Sequence, residues 1–269
     1  MKLDDIIRDL PTRTGNAVAH YWMTRAGQKE RQQQTGKADQ GLRSAVTGGA
    51  QMDGFIELIK DLTSAAGIPE QCVFSKKAVE LPGFFRPTKE WDLLVVRDMK
   101  LLAAIEAKSQ VGPSFGNNFN NRTEEAMGSA LDVWTAFRKH AYLASPQPFV
   151  GYIFMLEDCG ASHRPVRVQE THFRVFPEFV EASYLRRYEL FCRKLVLERH
   201  YTAAAFLSST ADDGIRGRFS MPAEDLSIER IAKAPGSTPR LWIRHVMQCE
   251  ERGFGVNGEI SFQRLLCLS

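Results

Sequence analysis

Residues 90–110, Glu-Trp-Asp-Leu-Leu-Val-Val-Arg-Asp-Met-Lys-Leu-Leu-Ala-Ala-Ile-Glu-Ala-Lys-Ser-Gln, constrain this chain more than any other stretch. Two apolar runs, 93–96 and 101–105, flank the polar triplet Asp98-Met99-Lys100, which predicts two strands joined by a tight turn. Turn length then decides which side chains share a face. A three-residue loop sets Arg97 opposite Leu101 and, counting back, Asp92 opposite Glu106. A two-residue loop would slip one strand by a residue and send its side chains to the other face. The three-residue register is therefore the expectation. It makes Trp91, Leu93, Val95, Ala103, Ile105 and Ala107 one apolar core face. Leu94, Val96, Leu102 and Ala104 form the other, which ends in Asp92, Glu106 and Lys108.

A carboxylate held against such a surface costs on the order of several kcal/mol unless it is paired or bound to metal. Lys108 neutralises one of the two acids. The remaining negative charge invites a hard divalent cation with oxygen ligands, and beside phosphates the usual choice is Mg2+. An ion-pair cluster at the rim of a sheet accounts for the same residues equally well at this level.

With 269 residues, 43% of them hydrophobic, the chain has ample material for a core, in one large domain or two modest ones. No run of 18 apolar residues occurs, and the start, Met-Lys-Leu-Asp-Asp, lacks the apolar run of a signal peptide, so a cytoplasmic protein with no membrane partner is expected. Cys72, Cys159, Cys192, Cys249 and Cys267 form no Cys-x-x-Cys pair, which argues against zinc and against a disulfide framework. His163 and His172 read as ordinary surface or strand residues. Between residues 11 and 43, six bases stand against two acids, a local excess of four that exceeds the +3 of the whole chain. That segment is a solvated helix face or a phosphate contact.

In chain order, residues 3–10 predict a short helix stopped at Pro11, and residues 16–34 a longer one. A glycine-rich segment, 36–54, follows. It does not match a phosphate-binding loop, but its Lys37, Asp39, Gln40, Arg43 and Gln51 are of the types that read base edges. Met52, Phe55, Ile56, Ile59 and Leu62 make the stripe of a helix ending near Gly67. Glu57, on the opposite face, is a further candidate metal carboxylate if that face looks into a cleft; a solvated acid is its ordinary reading. Residues 71–79 suggest a strand, and 81–88 a rigid approach to the hairpin. Residues 111–122 read as a loop whose Asn117, Asn118, Asn120, Asn121 and Arg122 partly serve turns and partly line a ligand cleft. Thr123 then caps a helix through His140. A buried strand at 148–156, a half-exposed strand at Val166 and Val168, a long helix at 181–206, a loop at 208–222 and a last helix from Thr238 to Arg252 complete the reading.

A helix, a strand bearing an acid, a second strand bearing Glu-x-Lys, then a helix and another strand is the layout of the PD-(D/E)xK nuclease core, with Asp92, Glu106 and Lys108 filling the motif and Trp91 where proline often stands. Four runs narrow the likeness: Gly36-Lys-Ala-Asp-Gln-Gly, Ser44-Ala-Val-Thr-Gly-Gly, Phe85-Arg-Pro-Thr-Lys-Glu-Trp-Asp92, and Glu106-Ala-Lys-Ser-Gln-Val-Gly-Pro-Ser-Phe-Gly-Asn-Asn-Phe-Asn-Asn-Arg-Thr-Glu-Glu125. They resemble the XhoI-type restriction endonucleases over at least residues 20–140. The resemblance implies an α/β fold, a central mixed sheet flanked by helices. It implies a homodimeric Type II enzyme that cuts double-stranded DNA within CTCGAG with Mg2+, leaving five-prime overhangs, and a cognate DNA methyltransferase acting on the same site. Asp92 and Glu106 would hold the metal and Lys108 would act on the attacking water. One domain is then expected over 1–269: a basic DNA-contacting region at 1–50, a catalytic core at 51–156 and elaborations at 157–269. A non-catalytic DNA-binding protein and a repair or junction nuclease on the same core are the competing readings.

Overall fold

The computed structural model describes residues 3–35 and 49–233. Five strands form a central mixed sheet: β1 (Val73–Phe74), β4 (Leu93–Arg97), β5 (Lys100–Gln110), β6 (Phe149–Glu157) and β7 (Ala203–Ser209), in the order β1-β4-β5-β6-β7. The first three are antiparallel neighbours, whereas β5, β6 and β7 run parallel. A separate antiparallel ribbon, β2 (Glu80–Pro82) and β3 (Thr88–Glu90), leads into β4. The fold is α/β with helices on both faces of the sheet, consistent with a restriction-endonuclease-like core.

One face is covered by α1 (Leu3–Arg8), α2 (Leu10–Thr35), α3 (Asp53–Ala65) and α8 (Ile228–Lys233). The predicted stripe of α3 does the covering: Phe55, Ile59 and Leu62 are fully buried, each contributing about 1.5–3 kcal/mol relative to exposure. Gly54 permits this packing, because a Cβ there would lie 2.9 Å from the Ala17 Cα of α2. Glu57 lies on the outer face, as its spacing predicts. Pro11 does not stop a helix; it sits in the first turn of α2, where its missing N–H costs nothing.

The other face carries α4 (Phe115–Arg138) and α6 (Tyr184–Leu197), and the one-turn helix α5 (Gly160–His163) lies between them in sequence. Helix α4 begins at Phe115, not Thr123, so Asn117 to Arg122 are helical rather than looped. Phe115 and Phe119, four residues apart, pack on Tyr184, Tyr188 and Phe191 of α6. That packing overrides the poor helix propensity of the Asn-Gly run. Thr123 turns its hydroxyl back to the Phe119 carbonyl instead of capping.

The predicted long helix at 181–206 ends at Leu197, and residues 203–209 pair with β6 as β7. A run of alanines fits a helix or a fully buried strand by composition alone, and the slot beside β6 decides for the strand. Of the strand predicted at 71–79, residues 73–74 pair. Val166 and Val168 lie in irregular chain. The loop expected at 208–222 contains the end of β7 and the short helix α7 (Ala211–Ile215). The helix predicted from Thr238 lies outside the described residues. Among the described residues, no helix is long and apolar enough to cross a membrane.

Candidate active site

The β4–β5 hairpin closes on Arg97 opposite Lys100, leaving a two-residue turn of Asp98 and Met99, both at positive φ. This corrects the expected three-residue loop. A two-residue turn of this kind matches the twist of the strands it joins. The register nevertheless arrives where expected, because Val95 pairs Ala103 while Val96 pairs Leu101, and Leu102 is the extra residue of a bulge. The bulge moves Leu102 to the α3 face alongside Ala103, and Leu101 takes the opposite face. Trp91, which precedes β4, also belongs to the α4 face rather than to that of Leu93. Beyond the bulge Leu93 pairs Ile105, and Asp92 is thereby brought beside Glu106.

The Asp92 N–H donates to the Ile105 carbonyl at 3.1 Å. Its Oδ2 accepts the Ala107 N–H at 2.8 Å. Lys108 Nζ joins the two acids, 3.4 Å from Asp92 Oδ2 and 3.3 Å from Glu106 Oε1. Glu106 is 2% exposed, whereas the side chains of Lys108 and Asp92 retain 25% and 35% of their surface.

Two partners of Glu106 escaped the sequence reading. Lys89, on β3, places its Nζ 3.1 Å from Glu106 Oε1 and 4.4 Å from the centre of the Trp91 ring. Tyr201, just ahead of β7, donates its hydroxyl to Glu106 Oε2 at 2.8 Å. The negative charge that the sequence leaves unbalanced is thus met by a second lysine. Lys89 stands in one of the quoted runs three residues before Asp92, a detectable signal; Tyr201 was hidden by the helix assigned across it.

Burial pushes the Glu106 carboxyl up, but the charges of Lys108 and Lys89 and the Tyr201 hydrogen bond outweigh it and hold the pKa below the usual carboxylate value. Burial pulls Lys108 down, and Glu106 and Asp92 more than restore it, leaving its pKa above that of a free lysine. Burial and the Glu106 charge keep Tyr201 protonated, and so a donor. Glu106 and Lys108 are both ionised at neutral pH.

Asp92 and Lys108 open onto a cleft of about 440 Å³ lined also by Asp53, Lys76, Glu90 and Trp91, and buried Glu106 does not line it. Glu57 does not line it; its side chain, 58% exposed, pairs with Lys60 at 3.1 Å. Gln51 is buried in the turn before α3. Asn117, Asn120 and Asn121 are exposed on α4, Asn118 is half-buried, and Arg122 pairs with Glu125 at 2.6 Å. Lys37, Asp39, Gln40 and Arg43 lie outside the described residues.

Two carboxylates joined through one ammonium suit a small oxygen-seeking cation that completes its shell with water and phosphate oxygens. Among the described residues no group of three or more His, Cys, Asp or Glu is placed to hold a metal, so the protein's share would be this pair.

The family model for restriction endonuclease XhoI matches residues 31–221. The chain is 54% identical over 201 residues to the Type II restriction enzyme BstVI of Geobacillus stearothermophilus, covering 73% of this chain and 89% of that enzyme. It is 46% identical over 200 residues to the Type II restriction enzyme XhoI of Xanthomonas vasicola, covering 74% and 79%. It is 47% identical over 169 residues to the Type II restriction enzyme AbrI of Azospirillum brasilense, covering 62% and 76%. No solved structure matches significantly.

Proposed function

The chain belongs to the XhoI restriction endonuclease family and is, by that kinship, a site-specific deoxyribonuclease, and from this premise we propose that it cuts double-stranded DNA within CTCGAG using Mg2+ and leaves five-prime overhangs. Asp92 and Glu106 would hold the ion, which polarises the scissile phosphate and lowers the pKa of the attacking water. Lys108, kept protonated between the two acids, would position that water and stabilise negative charge developing on the phosphate. Glu106, whose Oε2 accepts the Tyr201 hydroxyl, would thereby present a fixed ligand. Phosphate and base contacts would come from the 37–51 segment and from the exposed asparagines and Arg122 of α4.

A palindrome suits a homodimer in which each subunit treats one half-site and one strand. A cognate methyltransferase would protect the host's own copies of the sequence.

The observation that supports the assignment best is the single ammonium of Lys108 in contact with both carboxylates at the edge of an open cleft. The test is to incubate the pure protein with Mg2+ and a plasmid carrying one CTCGAG, then sequence the ends. Cleavage within that site supports the reading. Tight binding without cleavage would favour a DNA-binding protein, and cleavage elsewhere a different specificity. Asp92→Asn, Glu106→Gln and Lys108→Ala should each abolish cutting while specific DNA binding remains; wild-type rates in any of them would overturn its role.

A further inference from the structure

Lys89 and Lys108 together balance Asp92 and Glu106, and both lysines contact the same oxygen, Glu106 Oε1, at 3.1 and 3.3 Å. Tyr201 holds the other oxygen. A divalent ion held by Asp92 and Glu106 would meet two ammonium groups there. Lys89 is not a loose surface cation. Its side chain is 12% exposed, it donates to the Glu90 carbonyl at 2.9 Å, and it lies over the Trp91 ring. It is also carried by the β2–β3 ribbon, outside the hairpin that bears the acids. At a largely buried position, repulsion between an ammonium and a divalent ion a few ångströms away is weakly screened.

We propose that Lys89 is a positioning residue that tunes metal uptake: by balancing Glu106 it keeps the affinity of the DNA-free enzyme for divalent cations low, so that metal binds together with DNA. The inference rests on the metal-site reading of Asp92 and Glu106. A DNA phosphate beside Lys108 supplies the negative charge that offsets the incoming ion, and by reciprocity the metal tightens DNA by the same factor. Lys108 alone would leave the acid pair with one excess negative charge and a standing attraction for cations.

The test titrates Ca2+ alone, by calorimetry, into the wild-type protein, Lys89→Met, Lys89→Arg and the double variant Asp92→Asn/Glu106→Gln. Removing one nearby charge should make Lys89→Met bind Ca2+ roughly tenfold or more tightly than wild type, whereas Lys89→Arg, which keeps the charge, stays near wild type. A duplex containing CTCGAG, checked to be intact after titration, should tighten Ca2+ more in wild type than in Lys89→Met. A purely structural role for Lys89 predicts the opposite, since loosening Glu106 weakens the site. Lys89→Gln, which keeps a donor for Glu106, gives the same reading should Lys89→Met melt early. Equal or weaker Ca2+ binding in folded charge-removed variants overturns the proposal and leaves the metal-site reading intact. Undiminished binding in the double variant defeats that reading, and the proposal with it.

Discussion

Tyr201 donates its hydroxyl to Glu106 Oε2 at 2.8 Å, a contact between residues 95 positions apart. The Tyr201 hydroxyl also lies 3.2 Å from the Ala126 carbonyl of α4, a second acceptor for the same donor. A phenol that stands between α6 and β7 thereby orients a carboxylate on the central strand, so the carboxyl-terminal part of the described chain helps build the site.

Tyr201→Phe keeps the ring and deletes that donor. It leaves a buried carboxylate oxygen unpaired, at a cost of about 1–3 kcal/mol in urea denaturation. Single-turnover cleavage should slow while DNA affinity in a gel shift holds; an unchanged rate would show that Glu106 needs no such support.

Asp132 of α4 is buried and gathers the β2–β3 loop, accepting from the Phe84 and Phe85 amides at 2.6 and 2.9 Å and from Arg86 Nε at 2.7 Å. A Cβ on Gly83 would fall 2.6 Å from its Oδ2, so the loop needs glycine there. Asp132→Ala should cost about 1–3 kcal/mol and speed nicking by chymotrypsin at the exposed Phe84.

Met99 occupies the hairpin turn at φ 61° and is exposed. A side chain in the left-handed region is strained, so Met99→Gly should stabilise the protein by about 0.5–1 kcal/mol after the entropy cost of glycine. The melting temperature should rise with cleavage unchanged.

The Glu106 pKa lies lower in the folded chain than its ordinary value of 4.5. Its contribution to stability is therefore complete above that value and is lost as pH falls through the lower, folded value. Asp132, held down from 3.8 against burial by the two loop amides and Arg86, acts in the same direction. The urea midpoint should drop on acidification below about pH 4.5, and Glu106→Gln should flatten that acid limb.

Glu57, outside the cleft and paired with Lys60, is a surface side chain whose loss should change stability by less than about 0.5 kcal/mol. Glu57→Gln should cut DNA at close to the wild-type rate in a plasmid assay. Full inactivation would promote Glu57 to a metal ligand.

What the sequence determined by itself is local. The apolar runs at 93–96 and 101–105, the helical stripe of Phe55, Ile59 and Leu62, and the spacing of Glu106 and Lys108 along one strand are set by a few neighbouring residues, and all were legible. So was the family, because it rests on contiguous runs. Tertiary packing decided the rest. Leu102 bulges because the favoured two-residue turn and the pairing of Leu93 with Ile105 differ by one residue, a mismatch neither strand reveals alone. Residues 203–209 are a strand because β6 offers them a buried edge, and the Asn-rich run is helical because two phenylalanines find aromatic partners on α6. Lys89 and Tyr201 meet Glu106 from distant elements. A buried charge requires compensation from whatever folds next to it, and sequence spacing specifies that need without naming the residue that answers it.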